Sequence, residues 1–288
     1  MINSYSKFHY LCFNHKILKL NRLSDTYILA VEASIKASIE IMQFYEDGFK
    51  SNLKEDGSPV TEADFAASKV ISSILEKTNI PILGEETVHQ DYEERKKWTL
   101  NWCVDPLDGT KEFIKRNGQF AVNIALIENQ KSIFGVIASP TERIVLFGGE
   151  NTGVYISSFE TIHNHENWIK LNIQNTPNTP LILCVSHSSF SEKTVELIEK
   201  LKQNYSEINL LKKGSALKFF DLVLGKADIY PRYAPTMEWD IAAGQAILEA
   251  LGGSVISVET GESLIYNKEN LLNPNFIALT KPLIKLFS

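Results

Sequence analysis

The order of helix-like and strand-like segments predicts an α+β half followed by an α/β half. The first half has two amphipathic helical patterns and then four closely spaced, β-branched apolar runs. Beyond a polar, proline-containing stretch at 159–180, strands and helices alternate instead, which is typical of an α/β unit. We therefore expect a poorly ordered leader over 1–22, an α+β half over 23–178 and an α/β half over 179–288. A cleft is expected between the two halves.

Helical spacing of apolar residues predicts the first helix between Ser24, a good N-cap, and Gly48. A polar loop, KSNLKEDGSPV, leads into a second helix from about Glu62 to Lys77. This helix is expected to end before Pro81, because a proline disrupts a helix interior. Short strands are predicted at PILG and LNWCV. The runs FAVNIALIE, SIFGVIAS, IVLFGGE and GVYIS then indicate an antiparallel meander.

In the second half, strands are predicted at LILCVS, INLLK, ADIYPR and GGSVISV. Helices are predicted between them at EKTVELIEKLKQ, SALKFFDLVLG and WDIAAGQAILEAL, where apolar residues recur at helical spacing. This alternation is the basis for the predicted α/β half.

Composition excludes several classes of protein. A formal net charge of -6 argues against binding of nucleic-acid polymers, which basic surfaces normally bind. The leader lacks the apolar core of a signal peptide, and no run is long enough to span a bilayer. Three widely separated cysteines indicate reduced thiols and a cytoplasmic location. An alternative for the leader is an amphipathic segment that attaches peripherally to the inner membrane face.

The stretch NWCVDPLDGTKEF places two carboxylates beside a turn. Asp105 follows an apolar strand, Pro106 blocks immediate helix formation, and Asp108 precedes Gly109, which permits a tight turn before a helix opening at Thr110. Backbone N–H groups at a helix start bind phosphate, but the two carboxylates would repel it unless hard cations such as Mg²⁺ intervene. The alternative is an ordinary Asp-Gly turn beside a capping aspartate.

Three further acidic positions have both a functional and an ordinary interpretation. Glu85 and Glu86 follow a short strand, where they could face a cleft or form a solvated loop. Asp64 lies three residues after Thr61, a spacing that also forms a capping box at a helix start. Asp240 begins a helix rich in small residues, and a capping aspartate is the ordinary alternative there.

Four motifs, GSPVTEAD, GEE, VDPLDGT and WDIAAG, resemble in order and spacing those of the inositol monophosphatase superfamily of magnesium-dependent, lithium-sensitive phosphatases. The resemblance covers essentially everything from about Leu23 onward. The stretches DPLDGTKEFIKRNGQFAVNIALI and GSALKFFDLVLGKADIYPRYAPTMEWD are most similar to the CysQ-type 3'(2'),5'-bisphosphate nucleotidase branch. This resemblance implies a layered αβαβα sandwich, with an antiparallel sheet in one half and a mixed sheet in the other.

The resemblance also implies roles for the acidic positions. Asp64 and Thr110 would orient and deprotonate the attacking water, and the backbone N–H groups of Gly109 and Thr110 would meet the scissile phosphate. Two or three Mg²⁺ ions per site are implied, with Glu85 and Asp240 also close to substrate. The implied metal ligands are Glu85, Asp105, the Leu107 carbonyl, Asp108 and Asp240.

The nucleotidase branch further implies a set of nucleotide-binding positions. A solvated lysine and a structural histidine are the ordinary alternatives for two of them. The branch often has a second serine where this chain has Ala216, so one ligand hydrogen bond is expected to be missing. The implied positions are Ser186, His187, Gly214, Lys218 and Arg232.

The function implied by the resemblance is removal of the 3'-phosphate of adenosine 3',5'-bisphosphate, or the 2'-phosphate of its isomer, to give AMP and phosphate. This reaction would remove a by-product of sulfonate transfer in sulfate assimilation. The first alternative is hydrolysis of an inositol or sugar monophosphate by the same chemistry. A second alternative is a non-catalytic nucleotide sensor, which the complete set of carboxylates disfavours.

Overall fold

A computed structural model describes residues 23–54, 57–186 and 191–287. The predicted leader and His187 lie outside the described residues. The α-helices are α1 (Asp25–Asp47), α2 (Glu62–Leu75), α3 (Tyr92–Arg95), α4 (Thr110–Ile114), α5 (Glu192–Leu201), α6 (Leu217–Val223) and α7 (Glu238–Ala250). The first strands are β1 (Ser51–Leu53), β2 (Pro59–Thr61), β3 (Ile82–Gly84), β4 (Leu100–Asp108), β5 (Ala121–Glu128), β6 (Lys131–Ser139) and β7 (Ile144–Gly149). The others are β8 (Gly153–Ser158), β9 (Ile169–Lys170), β10 (Leu181–Val185), β11 (Ile208–Lys212), β12 (Ile229–Arg232), β13 (Ser254–Ser257) and β14 (Phe276–Leu279).

The first helix begins and ends where its capping residues predict. The hydroxyl of Ser24 accepts a hydrogen bond from the N–H of Tyr27, and Gly48 closes the last turn with a φ of 106° that favours glycine. Helix α2 begins at a capping box between Thr61 and Asp64, as its sequence predicts. Both helix predictions are therefore confirmed. The capping box at the start of α2 holds Asp64 in a fixed position.

The larger sheet has seven strands in the order β3-β4-β5-β6-β7-β8-β9. Strands β3 and β4 are parallel, and every other neighbouring pair in this sheet is antiparallel. The predicted meander is confirmed as β5 to β8. The parallel pair brings the carboxyl end of β3 beside the middle of β4, where the motif VDPLDGT begins.

The smaller sheet has five strands in the order β11-β10-β12-β14-β13. Strand β10 pairs in parallel with β11 and β12, while β14 pairs antiparallel with β12 and β13. This is the mixed sheet that the family resemblance implies. Strand β14 was not predicted, although Asn273 and Pro274 before it and Pro282 after it are turn signals that bracket its short run FIAL.

The helices and sheets form five layers, and three buried apolar clusters lie between them. Helices α1 and α2 cover one face of the larger sheet, and α6 and α7 fill the space between the two sheets. Helix α5 and the 3₁₀ turn Lys281–Leu286 cover the outer face of the smaller sheet. The arrangement is the predicted αβαβα sandwich. The boundary predicted near residue 178 stays a prediction, since α7 packs against the larger sheet as well as β13.

A close backbone approach brings α7 onto the larger sheet. A Cβ atom added at Gly135 of β6 would lie 2.1 Å from the carbonyl oxygen of Ala243, so only glycine fits there. Nearby, the hydroxyl of Ser132 donates to the carbonyl of Ala242 at 2.7 Å. These contacts hold the small-residue face of α7 against β6, and the start of the same helix carries Asp240.

Two local differences from the sequence prediction lie close to the acidic motifs. The segment expected as a polar loop forms the antiparallel hairpin β1–β2. Strand β4 continues past Asp105 to Asp108, with a register shift against β5 between them. Pro106 explains the shift, because it has no backbone N–H to donate to the neighbouring strand.

Candidate active site

Three carboxylates that are far apart in sequence meet at the carboxyl end of β3. One oxygen atom from each of Glu85, Asp105 and Asp240 lies within 4.8 Å of the others, and we call these three residues the acidic cluster. Asp105 is buried, while Glu85 and Asp240 are partly exposed. The family resemblance implies all three as metal ligands.

Each member of the acidic cluster is held by a different local structure. The N–H of Glu85 donates to the carbonyl of Val104 at 3.1 Å, which continues the β3–β4 pairing by one residue. The carboxylate of Asp105 accepts the N–H of Leu107 at 3.0 Å. The carboxylate of Asp240 accepts the N–H of Met237 at 2.9 Å at the start of α7.

Burial and mutual repulsion disfavour the charged forms of these carboxyls. Burial, followed by repulsion from Glu85, Asp108 and Asp240, raises the pKa of Asp105 well above its usual range. Burial and then repulsion from Asp108 raise the pKa of Asp240 to about 8. Burial also raises the pKa of Glu85, against the opposing effect of Lys54. Asp108 therefore lies close enough to the acidic cluster to act on its charge.

The donor set fits a hard divalent cation. The acidic cluster offers oxygen atoms only, which is the ligand type that Mg²⁺ takes in proteins. The raised pKa values of Asp105 and Asp240 mean that a nearby positive charge would relieve a cost that the folded chain otherwise carries. A carboxylate cluster of this kind can hold the metal ions that metal-dependent hydrolysis requires.

The second predicted pair, Asp64 and Thr110, also meets. The hydroxyl of Thr110 lies 3.1 Å from Oδ1 of Asp64, a geometry in which it donates a hydrogen bond. The other oxygen, Oδ2, accepts the N–H and the hydroxyl of Thr61 at 2.8 and 2.6 Å. Burial raises the pKa of Asp64, although the hydrogen bonds from Thr61 and Thr110 oppose the shift. The Asp64 carboxylate thus both caps the start of α2 and orients the Thr110 hydroxyl.

Gly109 has the left-handed φ of 95° at the turn between β4 and α4. An added Cβ atom would lie 3.1 Å from the carbonyl oxygen of Gln119 and 3.3 Å from Cβ of Ser215. Both the φ and the crowding therefore require glycine here. The Leu107 carbonyl lies just before this turn, 3.3 Å from the Thr110 hydroxyl.

Asp108 is outside the acidic cluster as the distances define it, and one of its oxygens is already engaged. Its Oδ2 accepts the hydroxyl of Ser215 at 2.6 Å, the N–H of Ala216, and the amide of Asn123 at 3.3 Å. All three of these contacts are made to Oδ2 of Asp108. They also tie the loop before α6 directly to the motif VDPLDGT. Sequence reasoning missed Ser215, because its Gly-Ser context marks only a turn.

Lys54, at the end of β1, was also missed, since its surroundings predicted only a polar loop. Its ammonium pairs with Glu85 at 2.6 Å and with Glu86. Although burial opposes its charge, the hydrogen bonds to both glutamates raise the pKa of Lys54. The hairpin β1–β2 therefore supplies a positive charge at the exposed side of the acidic cluster.

The nucleotide-binding positions implied by the resemblance lie around α6 and β12. The guanidinium of Arg232 donates to the Ser186 hydroxyl at 2.8 Å and lies close enough to Asp240 to lower its pKa. The N–H of Gly214 donates to the side chain of Gln119 at 2.7 Å. His187 lies outside the described residues.

Lys218 differs from the solvated lysine expected as the ordinary alternative, because its side chain is only 3% exposed. Its ammonium donates to the carbonyls of Ser215 and Lys213 at 2.7 and 3.4 Å, and it lies 4.9 Å from the ring centre of Tyr230. Burial lowers the pKa of Lys218 to about 8. The residue thus organises the loop that reaches Asp108.

Residues 22–287 match the sequence model of the inositol monophosphatase family. The chain belongs to the inositol monophosphatase family. It is 39% identical over 242 residues to the 3'(2'),5'-bisphosphate nucleotidase CysQ of Salmonella typhimurium, which covers 82% of this chain and 92% of that protein. The protein of the same name in Escherichia coli strain K12 is 38% identical over 242 residues, with the same coverage of 82% and 92%.

Solved structures give the same family. The crystal structure of CysQ from Bacteroides thetaiotaomicron, a bacterial member of the inositol monophosphatase family, superimposes with a TM-score of 0.78. It is 41% identical and covers 88% of this chain and 97% of that chain. The inositol monophosphatase of Thermotoga maritima has a TM-score of 0.72 at 22% identity, covering 92% and 95% of the two chains, and it shows the shared fold alone.

Proposed function

We infer that this chain is a 3'(2'),5'-bisphosphate nucleotidase, a phosphatase of the inositol monophosphatase family. Relatives named as such nucleotidases share 38–39% of their residues with it over 242 positions. The reaction we propose releases the 3'-phosphate of adenosine 3',5'-bisphosphate, or the 2'-phosphate of its isomer, as inorganic phosphate and leaves AMP. The observation that carries this inference is the meeting of Glu85, Asp105 and Asp240 in a chain with such relatives.

We propose Mg²⁺ as the cation, in two or three copies per site. The proposed ligands all offer hard oxygen atoms, the ligand type that Mg²⁺ takes in proteins. When bound, such ions supply positive charge that polarises the phosphate and acidifies water. The proposed ligands are Glu85, Asp105, Asp240, the remaining oxygen Oδ1 of Asp108 and the Leu107 carbonyl.

Asp64 and Thr110 are proposed to activate the attacking water. Because the Thr110 hydroxyl donates to Asp64, its lone pairs remain able to accept a hydrogen bond from water. The water proton would pass through this hydroxyl to Asp64, whose raised pKa makes it a stronger base than an ordinary aspartate. The water oxygen forms a bond to phosphorus, and the bond from phosphorus to the ribose oxygen breaks. The departing ribose oxygen then takes a proton from solvent.

The remaining positions are proposed to hold the substrate. The N–H groups of Gly109 and Thr110 lie at the start of α4, where they can donate to the scissile phosphate. Glu85 and Asp240 border the same place. We propose that the nucleotide extends from there along the loop before α6 toward β12. The proposed nucleotide contacts are Ser186, His187, Gly214, Lys218 and Arg232.

A comparison of two substrates tests the inference. Purified protein with Mg²⁺ is expected to release phosphate from adenosine 3',5'-bisphosphate with a kcat/KM far above that for inositol 1-phosphate. Phosphate release is measured colorimetrically under identical conditions. Much faster turnover of inositol 1-phosphate would overturn the nucleotidase inference in favour of the monophosphate alternative.

The location we propose is the cytoplasm, where by-products of sulfonate transfer to and from nucleotides would arise. The substrate is a small molecule rather than a nucleic-acid polymer, in keeping with the net charge of -6. Among the helices within 23–54, 57–186 and 191–287, none combines the length and apolar character needed to cross a bilayer.

A further inference from the structure

Glu238 is a fully buried carboxylate that the proposed chemistry does not use. It lies two residues before Asp240, at the first position of α7. Its Oε2 accepts the N–H of Asn267 at 2.6 Å, and its Oε1 accepts the N–H and the ammonium of Lys268 at 3.0 and 2.6 Å. Three donors therefore fix the segment at 267–268 on the turn that carries Asp240.

The side chain of Asn267 extends this connection to Arg95, in the segment that follows Glu85. Its Nδ2 donates to the carbonyl of Arg95 at 2.7 Å, and its Oδ1 accepts from Nη1 of Arg95 at 2.8 Å. Asn267 has a φ of 56°, a left-handed conformation that asparagine tolerates better than most residues. The pair is reciprocal, so it fixes direction as well as distance.

Arg95 ends α3 and is only 4% exposed. Its Nε donates to the carbonyl of Gln90 at 3.1 Å, which holds the guanidinium in place. Earlier in the same segment, the ring of His89 lies 5.6 Å from the ring of Trp239, and its Nε2 lies 2.8 Å from the carbonyl of Gly84. The segment that begins at Glu85 therefore touches the start of α7 directly, through His89 and Trp239, and is also joined to it through Arg95 and Asn267.

These contacts address a geometric problem of the acidic cluster. Glu85 and Asp105 are fixed relative to each other by the pairing of β3 with β4. Asp240 instead comes from a helix, which has no strand pairing to either of them. A displacement of about 1 Å at such a site is costly, because ligand geometry must be held within about 0.5 Å.

We propose that Arg95, Asn267 and Glu238 are positioning residues that set the place of Asp240 relative to Glu85 for divalent-cation binding. The proposal rests on the proposed metal-dependent function but concerns cation affinity rather than turnover. Outer partners of metal ligands typically change metal affinity by about 10- to 100-fold when they are removed.

The test measures binding of Mn²⁺, without nucleotide, to the full chain. Asn267→Gly removes the reciprocal link while keeping a residue that accepts the left-handed φ. Arg95→Met removes the guanidinium at similar length. Both variants are expected to raise the Mn²⁺ Kd about tenfold in calorimetry or electron paramagnetic resonance titrations.

Asn178→Ala is the matched control. The Asn178 amide donates to the carbonyl of Gly225 and to Oδ1 of Asp228, both at 3.1 Å, so this variant also loses two side-chain hydrogen bonds. We expect it to lower Tm to a similar extent while leaving the Mn²⁺ Kd unchanged. An equal loss of Mn²⁺ affinity in Asn178→Ala and Asn267→Gly would mean general destabilisation and would overturn the proposal.

Unchanged Mn²⁺ affinity in both Asn267→Gly and Arg95→Met would also overturn it. If either variant fails to fold, Glu238→Gln takes its place, because glutamine keeps the side-chain shape and one acceptor oxygen. This variant is expected to weaken Mn²⁺ binding a few-fold. Normal Mn²⁺ affinity in Glu238→Gln would count against the proposal. Failure of the positioning proposal can be distinguished from failure of the proposed nucleotidase function. A wild-type chain that binds Mn²⁺ without hydrolysing the bisphosphate refutes the nucleotidase inference and leaves the positioning test intact.

Discussion

The acidic cluster, here called the acidic side, and the region around α6 with the proposed nucleotide contacts Gly214 and Lys218, here called the nucleotide side, are built differently. On the acidic side, Glu85, Asp105 and Asp240 approach one another with oxygens directed to a shared space. On the nucleotide side, the polar groups are already occupied within the protein: the Lys218 ammonium and the Gly214 N–H both bind neighbouring protein atoms. Lys54 offsets part of the charge on Glu85, but the raised pKa values of Asp105 and Asp240 show a remaining repulsion that a cation could relieve. On the nucleotide side, the polar groups already satisfy one another within the protein.

This difference indicates where binding energy and chemistry lie. Repelling carboxylates gain most from an added cation, because each raised pKa marks a cost that the cation removes. Prearranged polar groups gain less, since a ligand must replace bonds that exist already. Substitutions on the acidic side should therefore change turnover and metal affinity steeply, and those on the nucleotide side should change KM moderately.

The steepest effect is expected for Asp64→Asn. The asparagine keeps the size of the side chain but cannot accept the water proton, so kcat for adenosine 3',5'-bisphosphate should fall by about 10³-fold or more. Steady-state phosphate release measures the effect. Mn²⁺ affinity and Tm should change little, because the helix cap from Thr61 can be retained by the amide oxygen.

Wild-type turnover in Asp64→Asn would remove this residue from the catalytic role. A chain in which neither wild type nor variant turns over any bisphosphate, while still binding it, would instead fit the nucleotide-sensor alternative. Glu62→Gln, at an exposed position of the same helix turn, is the matched carboxylate control and should retain kcat.

The two sides also differ in how far the sequence predicts them. Asp64, Asp105 and Asp240 occur at helix starts and a strand, where capping and periodicity fix the local structure, so their positions could be predicted. The hydrogen bond from Thr110 to Asp64 joins residues 46 apart and depends on tertiary packing. Local patterns carry no such distances, and only the family resemblance paired them.

Residues in loops were missed for the same reason. Lys54 reaches Glu85 because the segment around it pairs as the hairpin β1–β2, although its polar composition predicted a loop. Ser215 reaches Asp108 across the two halves of the chain. The buried setting of Lys218 was equally invisible, since a lysine in a short amphipathic helix is normally solvated.

Asp105→Asn should separate metal binding from folding. The amide oxygen can still accept the Leu107 N–H, but one negative charge leaves the acidic cluster. We expect Mn²⁺ affinity to fall by more than about 100-fold, since even outer partners cost about 10- to 100-fold. Tm of the metal-free protein should rise by about 2 °C or more, because repulsion is relieved.

Calorimetric titration and thermal denaturation measure the two effects of Asp105→Asn. The exposed Asp91, which makes no capping hydrogen bond from its side chain, provides the control Asp91→Asn with neither effect. A decrease in metal-free Tm together with intact Mn²⁺ binding would show that Asp105 is structural and would contradict its assignment to the metal site.

Lys218→Met tests the nucleotide side, where a smaller effect is expected. Two of the three ammonium donors bind backbone carbonyls, so a third can reach a phosphate. Loss of this charge should raise KM for adenosine 3',5'-bisphosphate about tenfold with little change in kcat. The exposed Lys226 provides the matched control Lys226→Met. An unchanged KM with an altered Tm would restrict Lys218 to holding the loop before α6.

The smallest expected effect is a pH dependence of stability from the acidic side between pH 4 and pH 8, whereas the lowered pKa of Lys218 on the nucleotide side acts only at and above about pH 8. Asp240 has a folded pKa of about 8, against about 3.9 for an unfolded aspartate. Between these values the folded chain binds the extra proton, so this contribution stabilises the metal-free protein below about pH 4 and is lost as pH rises through 8.

Binding of a cation replaces that proton, so the increase in Tm on adding Mg²⁺ should grow from pH 5 to pH 8 by a few degrees. Differential scanning calorimetry of Asp240→Asn gives the control, in which both the pH slope of the metal-free Tm and the Mg²⁺ effect should be reduced. If wild type and Asp240→Asn had parallel pH profiles, the carboxyl at 240 would be charged throughout. The acidic side would then be as fully compensated as the nucleotide side, and the contrast between the two would lose its physical basis.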